Sequence, residues 1–105
     1  MSQAIREVDS VIEEISAELC RTAAEKHGVL SQLAEQNKQL ADSKGHKHLA
    51  MELEARISHL EQKRSRIAKE EKEMENCLVV LRAKKSQMEE SLRQFIHTQT
   101  KQRSR

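Results

Sequence analysis

Apolar side chains recur at heptad spacing through most of the second half of the chain, and this pattern constrains the fold more than any other feature. Each heptad has two core positions, a and d, and the d position is apolar in every heptad from residue 53 to residue 95. A repeat sustained over this length indicates a long amphipathic helix that packs against another helix. The apolar d residues are Leu53, Leu60, Ile67, Met74, Leu81, Met88 and Phe95.

The first half of the chain repeats the pattern in a more polar form. Apolar residues from Ile5 to Leu40 follow alternating spacings of three and four, interrupted by Thr22, Lys26 and Gln36. The 105 residues include no proline, only two glycines and 34% charged side chains, a composition typical of long helices with a thin core. We therefore predict an all-α, coiled-coil-like fold, with residues 1–105 forming a single helical domain.

The stretch ADSKGHKHLA, residues 41–50, interrupts the helical pattern. Gly45 can adopt the left-handed backbone conformation that ends a helix, and Asp42 and Ser43 are turn formers. The apolar positions before and after this stretch are out of phase with each other. A turn between two antiparallel helices accounts for this slip, and so does a stammer in one continuous rod.

Charged residues at core positions disfavour a symmetric parallel homodimer. The a positions of the second half include Arg64, Glu71 and Lys85. In a parallel, in-register pair each of these would face its own copy, and like charges repel in a partly desolvated core. The pattern therefore favours pairing within one chain or with a different chain.

The two halves match when the chain is folded back at Gly45. Leu33 then lies beside Ile57, and the polar interruption at Lys26 lies near Arg64, where Glu25 and Glu71 can neutralise it. This agreement favours an antiparallel hairpin of long helices. The predicted bounds are a helix over about 3–42, a turn over 43–47 and a helix over about 48–84.

Residues 86–99, SQMEESLRQFIHTQ, follow the predicted hairpin. Ser86 and Glu89 have the spacing of a capping box, which could start a third helix and give a three-helix bundle. The same residues could equally extend the second helix. A basic tail over residues 100–105 completes the chain.

The end of the second helix is the candidate surface for binding a partner. Basic residues are in excess after Leu81, and an apolar stripe there can dock in a groove of another protein or serve as ordinary helical core. No aromatic side chains interleave with the cations, so nucleic-acid binding through this basic end is the least favoured interpretation. The candidate residues are Arg82, Lys84, Lys85, Met88, Leu92, Arg93, Phe95 and Ile96.

Catalytic and metal-binding patterns are weak. His46 and His48 lie in a polar turn without a closed set of metal ligands, and neither Cys20 nor Cys77 has a histidine nearby in sequence to activate it. We predict a protein that is not an enzyme and has no cofactor and no metal site. No apolar run reaches the roughly 20 residues that cross a bilayer, so we expect no membrane association and a cytoplasmic location.

The layout of two long helices around a glycine-bearing polar turn resembles tubulin-specific chaperone A, the tubulin-binding cofactor A family. The resemblance covers roughly residues 5–81. It implies a three-helix bundle that holds β-tubulin, and hence a tubulin-handling chaperone or cytoskeletal assembly factor. The alternative is a coiled-coil structural subunit of a larger homo- or hetero-oligomeric assembly. The spacing that carries the resemblance is that of Ile15, Leu19, Leu40, Gly45, Ile57, Leu78 and Leu81.

Overall fold

The chain forms two long helices in a computed structural model that describes residues 2–103, with side chains described for residues 3–100. Helix α1 spans Ser2–Asp42 and helix α2 spans Lys47–Arg103. No β-strand occurs in residues 2–103. The predicted all-α fold is confirmed as a helical hairpin, in which the two helices pack against each other.

Helix α2 continues without a break through residues 86–99. Of the two alternatives for this segment, the structure therefore has the extension of the second helix, and no separate third helix begins there. The turn covers residues 43–46, one residue shorter than predicted, because α2 already begins at Lys47. Residues 100–103 of the predicted basic tail are helical, while the side chains of 101–105 lie outside the described residues.

Contacts group the chain into two compact units. The first, here the terminal unit, combines Met1–Glu18 with Met74–Arg105. The second, here the turn unit, is Leu19–Glu73. Each unit contains a segment of α1 and a segment of α2, and each is described separately below.

The turn at the end of α1 is closed by local hydrogen bonds. The backbone N–H of Ser43 donates to the carbonyl oxygen of Leu40 over 3.2 Å, and the Ser43 hydroxyl donates to the same oxygen over 2.7 Å. Gly45 has a φ of 92°, in the left-handed region that favours glycine. The carbonyl of His46 then accepts the first helical bond of α2, from the N–H of Ala50. Gly45 is thus a turn residue, and the stammer alternative is wrong.

The core of the turn unit is small and apolar. Val29, Leu33 and Ile67 form a buried cluster, and Ile57 and Leu60 pack against it. All of them occupy predicted a or d positions. Burying a side chain of this size stabilises the fold by roughly 1.5–3 kcal/mol, so a few residues supply most of the hydrophobic stabilisation of this unit.

Ion pairs surround the polar interruption in the turn unit. The Lys26 ammonium lies 3.4 Å from the Glu71 carboxylate, and Glu25 lies 3.8 Å from both Lys63 and Arg66. Glu25 and Glu71 thus neutralise the cations at this interruption, as predicted. The ion-pair partner of Lys26 is Glu71, one heptad beyond Arg64 on α2, and Arg64 is exposed.

The terminal unit has a thinner core. Among the described residues of this unit, Leu78 is the buried apolar one, at 4% exposure. The other apolar residues that line the contact between its two helical segments are half-buried. Those of α1 are Ile5, Val8, Ile12 and Ile15, and those of α2 are Met74, Leu81, Met88 and Leu92.

Candidate partner-binding surface

The structure divides the predicted binding residues into two groups. All of them belong to α2 in the terminal unit. Lys85, Met88 and Leu92 are half-buried and form part of the helix contact, as the ordinary-core interpretation expects. The remaining residues are exposed. They are Arg82, Lys84, Arg93, Phe95 and Ile96.

Lys85 occupies a core position, and a carboxylate on α1 compensates its charge. Its ammonium group lies 2.5 Å from the carboxylate of Asp9 on α1. The hydrogen bond to Asp9 raises the pKa of Lys85 more than desolvation lowers it, and the negative charges of Asp9 and Glu89 raise it further. This side chain therefore joins the two helical segments and is not free for a partner.

A shallow groove runs beside Leu92. It has a volume of about 360 Å³ and is lined by Ile5 and Arg6 of α1 with Glu89, Leu92 and Arg93 of α2. The guanidinium of Arg93 lies 2.8 Å from the Glu90 carboxylate, one turn earlier on the same helix. Leu92 is thus a half-buried apolar residue of α2 that shares this groove with Ile5 of α1.

Phe95 and Ile96, together called the apolar end, lie one turn beyond this groove. Phe95 takes the next core position after Leu92, yet it is 57% exposed and Ile96 is 54% exposed. Helix α1 begins at Ser2, and Ile5 already faces Leu92, so the described part of α1 has little left with which to cover them. The predicted apolar stripe is therefore core at Met88 and Leu92 and surface at the apolar end.

Two exposed cations, Arg82 and Lys84, lie three to four turns before the apolar end on α2. Eleven residues make about three helical turns, which places Lys84 on the side of Phe95 and Arg82 on the side of Arg93. Both side chains are exposed, and no ion pair holds either one within the described residues. The apolar end is thus preceded on α2 by one exposed cation on each side of the helix.

Val79 and Val80 form a second exposed apolar patch, which lies outside the predicted binding residues. Each is 66% exposed, more than Phe95 or Ile96. They occupy the b and c heptad positions, which point away from the core of a hairpin. The sequence could have indicated this patch, because two β-branched residues stand next to each other at heptad positions that point away from the core.

The turn unit holds a separate groove of about 470 Å³. Gln36 projects into the helix contact beside it, and its Oε1 is buried with no hydrogen-bond partner among the described residues. The groove is lined by Gln32, Gln36, Ala55, Arg56, His59 and Leu60.

Residues with catalytic or metal-binding potential are dispersed. In the part of the chain that the structure describes, no group of three or more His, Cys, Asp or Glu side chains is placed to hold a metal ion. Cys20 and Cys77 are free and exposed, and so are His46, the last residue of the turn, and His48, in the first turn of α2. Within residues 2–103, neither helix has a segment long and apolar enough to cross a membrane.

Comparisons with known proteins give no relative. No protein-family model matches the sequence, and neither the curated proteins nor the solved structures include a match. The functional assignment therefore depends on the surfaces described above.

Proposed function

We propose that this chain is a non-enzymatic helical protein that binds another protein through the apolar end and the exposed cations Arg82 and Lys84 of the same helix. The exposure of Phe95 and Ile96 is the observation that carries the proposal. Large apolar side chains grouped at one place on a helix mark a protein contact more often than isolated ones do. Two adjacent residues that continue the core of the hairpin can extend that core into a partner.

The partner surface that fits is an amphipathic helix or groove bordered by carboxylates. Phe95 and Ile96 would enter its apolar part, and Arg82 and Lys84 would face its acidic border. Aromatic residues contribute strongly when they are buried in an interface, whereas cations at the rim mainly accelerate and orient association. Affinity should therefore depend on Phe95, and the association rate on the cations.

β-Tubulin is the specific partner that we propose to test first. This choice comes from the resemblance to tubulin-specific chaperone A, together with the requirement for an acidic partner surface. It carries with it the proposed cytoplasmic location and cytoskeletal role. The general proposal and the choice of tubulin are separate, and the experiment below distinguishes them.

The experiment combines crosslinking with matched variants. A photoreactive amino acid at position 95 of the full chain is activated in cells, and the crosslinked protein is identified by mass spectrometry. The same group at position 11 is the control, since Val11 is also an exposed apolar residue, at 41%, but lies on α1. Binding of the identified protein is then measured in purified form.

We expect Phe95→Ser with Ile96→Ser to weaken binding by at least roughly tenfold. Val11→Ser should leave the affinity unchanged. Binding that is equal for the double variant and the wild type would refute the proposal. A partner other than tubulin that responds to the double variant would keep the binding role and remove only the choice of tubulin.

A second candidate function is that of a coiled-coil subunit in a larger assembly, and the outward patch at Val79 and Val80 favours it. Such a subunit would sediment as part of a complex of fixed composition, and Val79→Ser with Val80→Ser would release it. Nucleic-acid binding remains the least favoured class. It predicts an affinity that falls steeply with salt and is lost on deletion of residues 101–105.

A further inference from the structure

We infer that the face of α2 centred on Val79 and Val80 binds a second copy of this chain in an antiparallel arrangement. This inference concerns a different surface from the apolar end and does not depend on the function proposed for that end; it uses the same valine patch as the coiled-coil-subunit alternative, from which a dimer of the purified chain distinguishes it. Both valines are 66% exposed and lie in the terminal unit. The arrangement of charges around them identifies the occupant as another copy.

The residues around the valines form a narrow face suited to helix packing. Asn76, Val80 and Ala83 follow spacings of four and three, which places them in one line along α2, and Val79 lies beside that line. All four are exposed. Ala83 and Asn76 are small enough for two helices to approach closely. The face therefore has the spacing of a second, shorter coiled-coil core on the outside of the hairpin.

The charged residues at the two ends of this face are opposite in sign. Glu75 precedes the valines and Arg82 follows them, seven residues and about two turns later, so both lie on the same edge. Each is exposed, and neither has an ion pair within the described residues. When an identical helix is laid against this face in the opposite direction, Glu75 of each copy meets Arg82 of the other.

The other edge of the face is compatible with the same arrangement. It carries Cys77 and Lys84, also seven residues apart. Antiparallel packing places each Lys84 beside a neutral Cys77. Parallel packing would instead turn the Glu75–Arg82 edge of one copy towards the Cys77–Lys84 edge of the other, which places Arg82 near Lys84 and leaves Glu75 beside the neutral Cys77. Electrostatic repulsion between like charges therefore selects the antiparallel orientation.

In this dimer the two-fold axis passes between Val79 and Val80. The four valines form its centre, and Asn76 of each copy packs against Ala83 of the other. The apolar area is small, so we expect a weak, reversible dimer with a dissociation constant on the order of 10–100 μM. The dimer would double the number of apolar ends and so raise the avidity for a repetitive partner.

Sedimentation equilibrium of the full chain tests the inference. The average mass should rise from 12.1 kDa towards twice that value as the concentration crosses the expected range. Val79→Ser with Val80→Ser should raise the dissociation constant by at least roughly tenfold, while circular dichroism shows unchanged helicity. Phe95→Ser with Ile96→Ser should leave dimerisation unchanged. A chain that stays monomeric at about 1 mM would overturn the inference.

Charge reversal and crosslinking test the orientation. Glu75→Arg and Arg82→Glu should each weaken the dimer, and the two together should restore it. In a background with Cys20→Ser and Cys77→Ser, chains carrying Asn76→Cys should form disulfides with chains carrying Ala83→Cys.

Neither type of cysteine chain should form a disulfide with its own kind. Crosslinking of Asn76→Cys chains to each other would show a parallel dimer. A dimer that is unaffected by the valine substitutions would place the contact elsewhere. Each of these results would overturn the inference.

Discussion

The ammonium group of Lys85 lies 2.5 Å from the carboxylate of Asp9, and this pair joins α2 to α1 within the terminal unit. Lys85 occupies an a position, where a coiled coil usually has an apolar residue. Because its side chain is partly exposed, the aliphatic stem can pack in the contact while the charge reaches Asp9 at the edge. A charged core position is thus compatible with a helical pair inside one chain.

The ion pair between Lys85 and Asp9 should make the free energy of unfolding depend on pH in the alkaline range. The pKa of Lys85 is raised in the folded state, so its contribution is complete below the unfolded lysine value of roughly 10.4. The contribution is lost as the pH rises through the higher folded pKa. We expect the urea midpoint of the wild type to fall over this range, and Lys85→Met to reduce that fall.

Lys84→Met is the matched control for this titration. Lys84 is the neighbouring lysine, exposed and without a described ion pair, so its removal should keep the wild-type pH dependence. Circular dichroism at a fixed series of urea concentrations provides the measurement. If Lys85→Met and Lys84→Met change the alkaline slope equally, the Asp9 pair does not stabilise the fold.

The two glycines should respond in opposite directions to alanine. Gly45 has a φ of 92°, where an alanine side chain costs about 1–2 kcal/mol, so Gly45→Ala should destabilise the hairpin by about that amount. Gly28 lies inside α1, with open space where the Cβ atom of an alanine would lie, so Gly28→Ala should stabilise the hairpin by roughly 0.5–1 kcal/mol. Thermal and urea unfolding measure both changes.

Gly45→Asn provides a further check, since asparagine tolerates the left-handed conformation better than alanine does. Its stability should lie between those of the wild type and Gly45→Ala. A stable Gly45→Ala variant would mean that the backbone at this position can adopt another conformation, and the turn would not depend on glycine.

The pair of Lys26 and Glu71 should stabilise the turn unit less than apolar residues would. Both occupy core positions, their charges lie 3.4 Å apart, and the Glu71 side chain is only 17% exposed. Replacing one partner leaves the other uncompensated, whereas replacing both removes the cost of desolvating the charges. We expect Lys26→Met and Glu71→Leu each to be less favourable than their combination, with a coupling of roughly 0.5–2 kcal/mol.

The control for this double-mutant cycle is the pair of Glu90 and Arg93, which lies on the exposed surface of α2. Its removal should change the free energy of unfolding by less than about 0.5 kcal/mol. Additive effects at Lys26 and Glu71, measured in urea, would show that the two charges do not interact across the helices.

The turn and the apolar core could be predicted from the sequence because few residues decide them. Gly45 is the one position where turn formers and a phase slip coincide, and the apolar positions around Leu33 and Ile57 match only when the chain folds back there. How far the contact between α1 and α2 extends along α2 could not be predicted. Periodicity identifies the face on which Phe95 lies, but not whether the opposite helix reaches it.

Charged core positions were predicted less accurately than apolar ones. The heptad places Arg64 in the core, yet Arg64 is exposed and the half-buried residue is Lys63, whose ammonium group reaches Glu25. Long cationic side chains can leave a core without moving the backbone, so their heptad position does not determine their burial. The same reason explains why the predicted binding residues differ in availability. Lys85 forms an ion pair with Asp9, whereas Lys84 has no ion pair among the described residues.

Gln36→Leu should stabilise the hairpin, because Gln36 interrupts the core of α1 with a polar group. Its Oε1 is buried without a hydrogen-bond partner among the described residues, a state that costs about 1–3 kcal/mol relative to a satisfied group. Leucine removes that group and adds apolar contact with Leu60 in the adjacent groove. We expect a gain of about 1 kcal/mol in the free energy of unfolding, measured in urea. Gln32→Leu, at an exposed position lining the same groove, should gain less than half as much. A Gln36→Leu variant less stable than the wild type would show that this amide is hydrogen-bonded in solution, with water as the available partner.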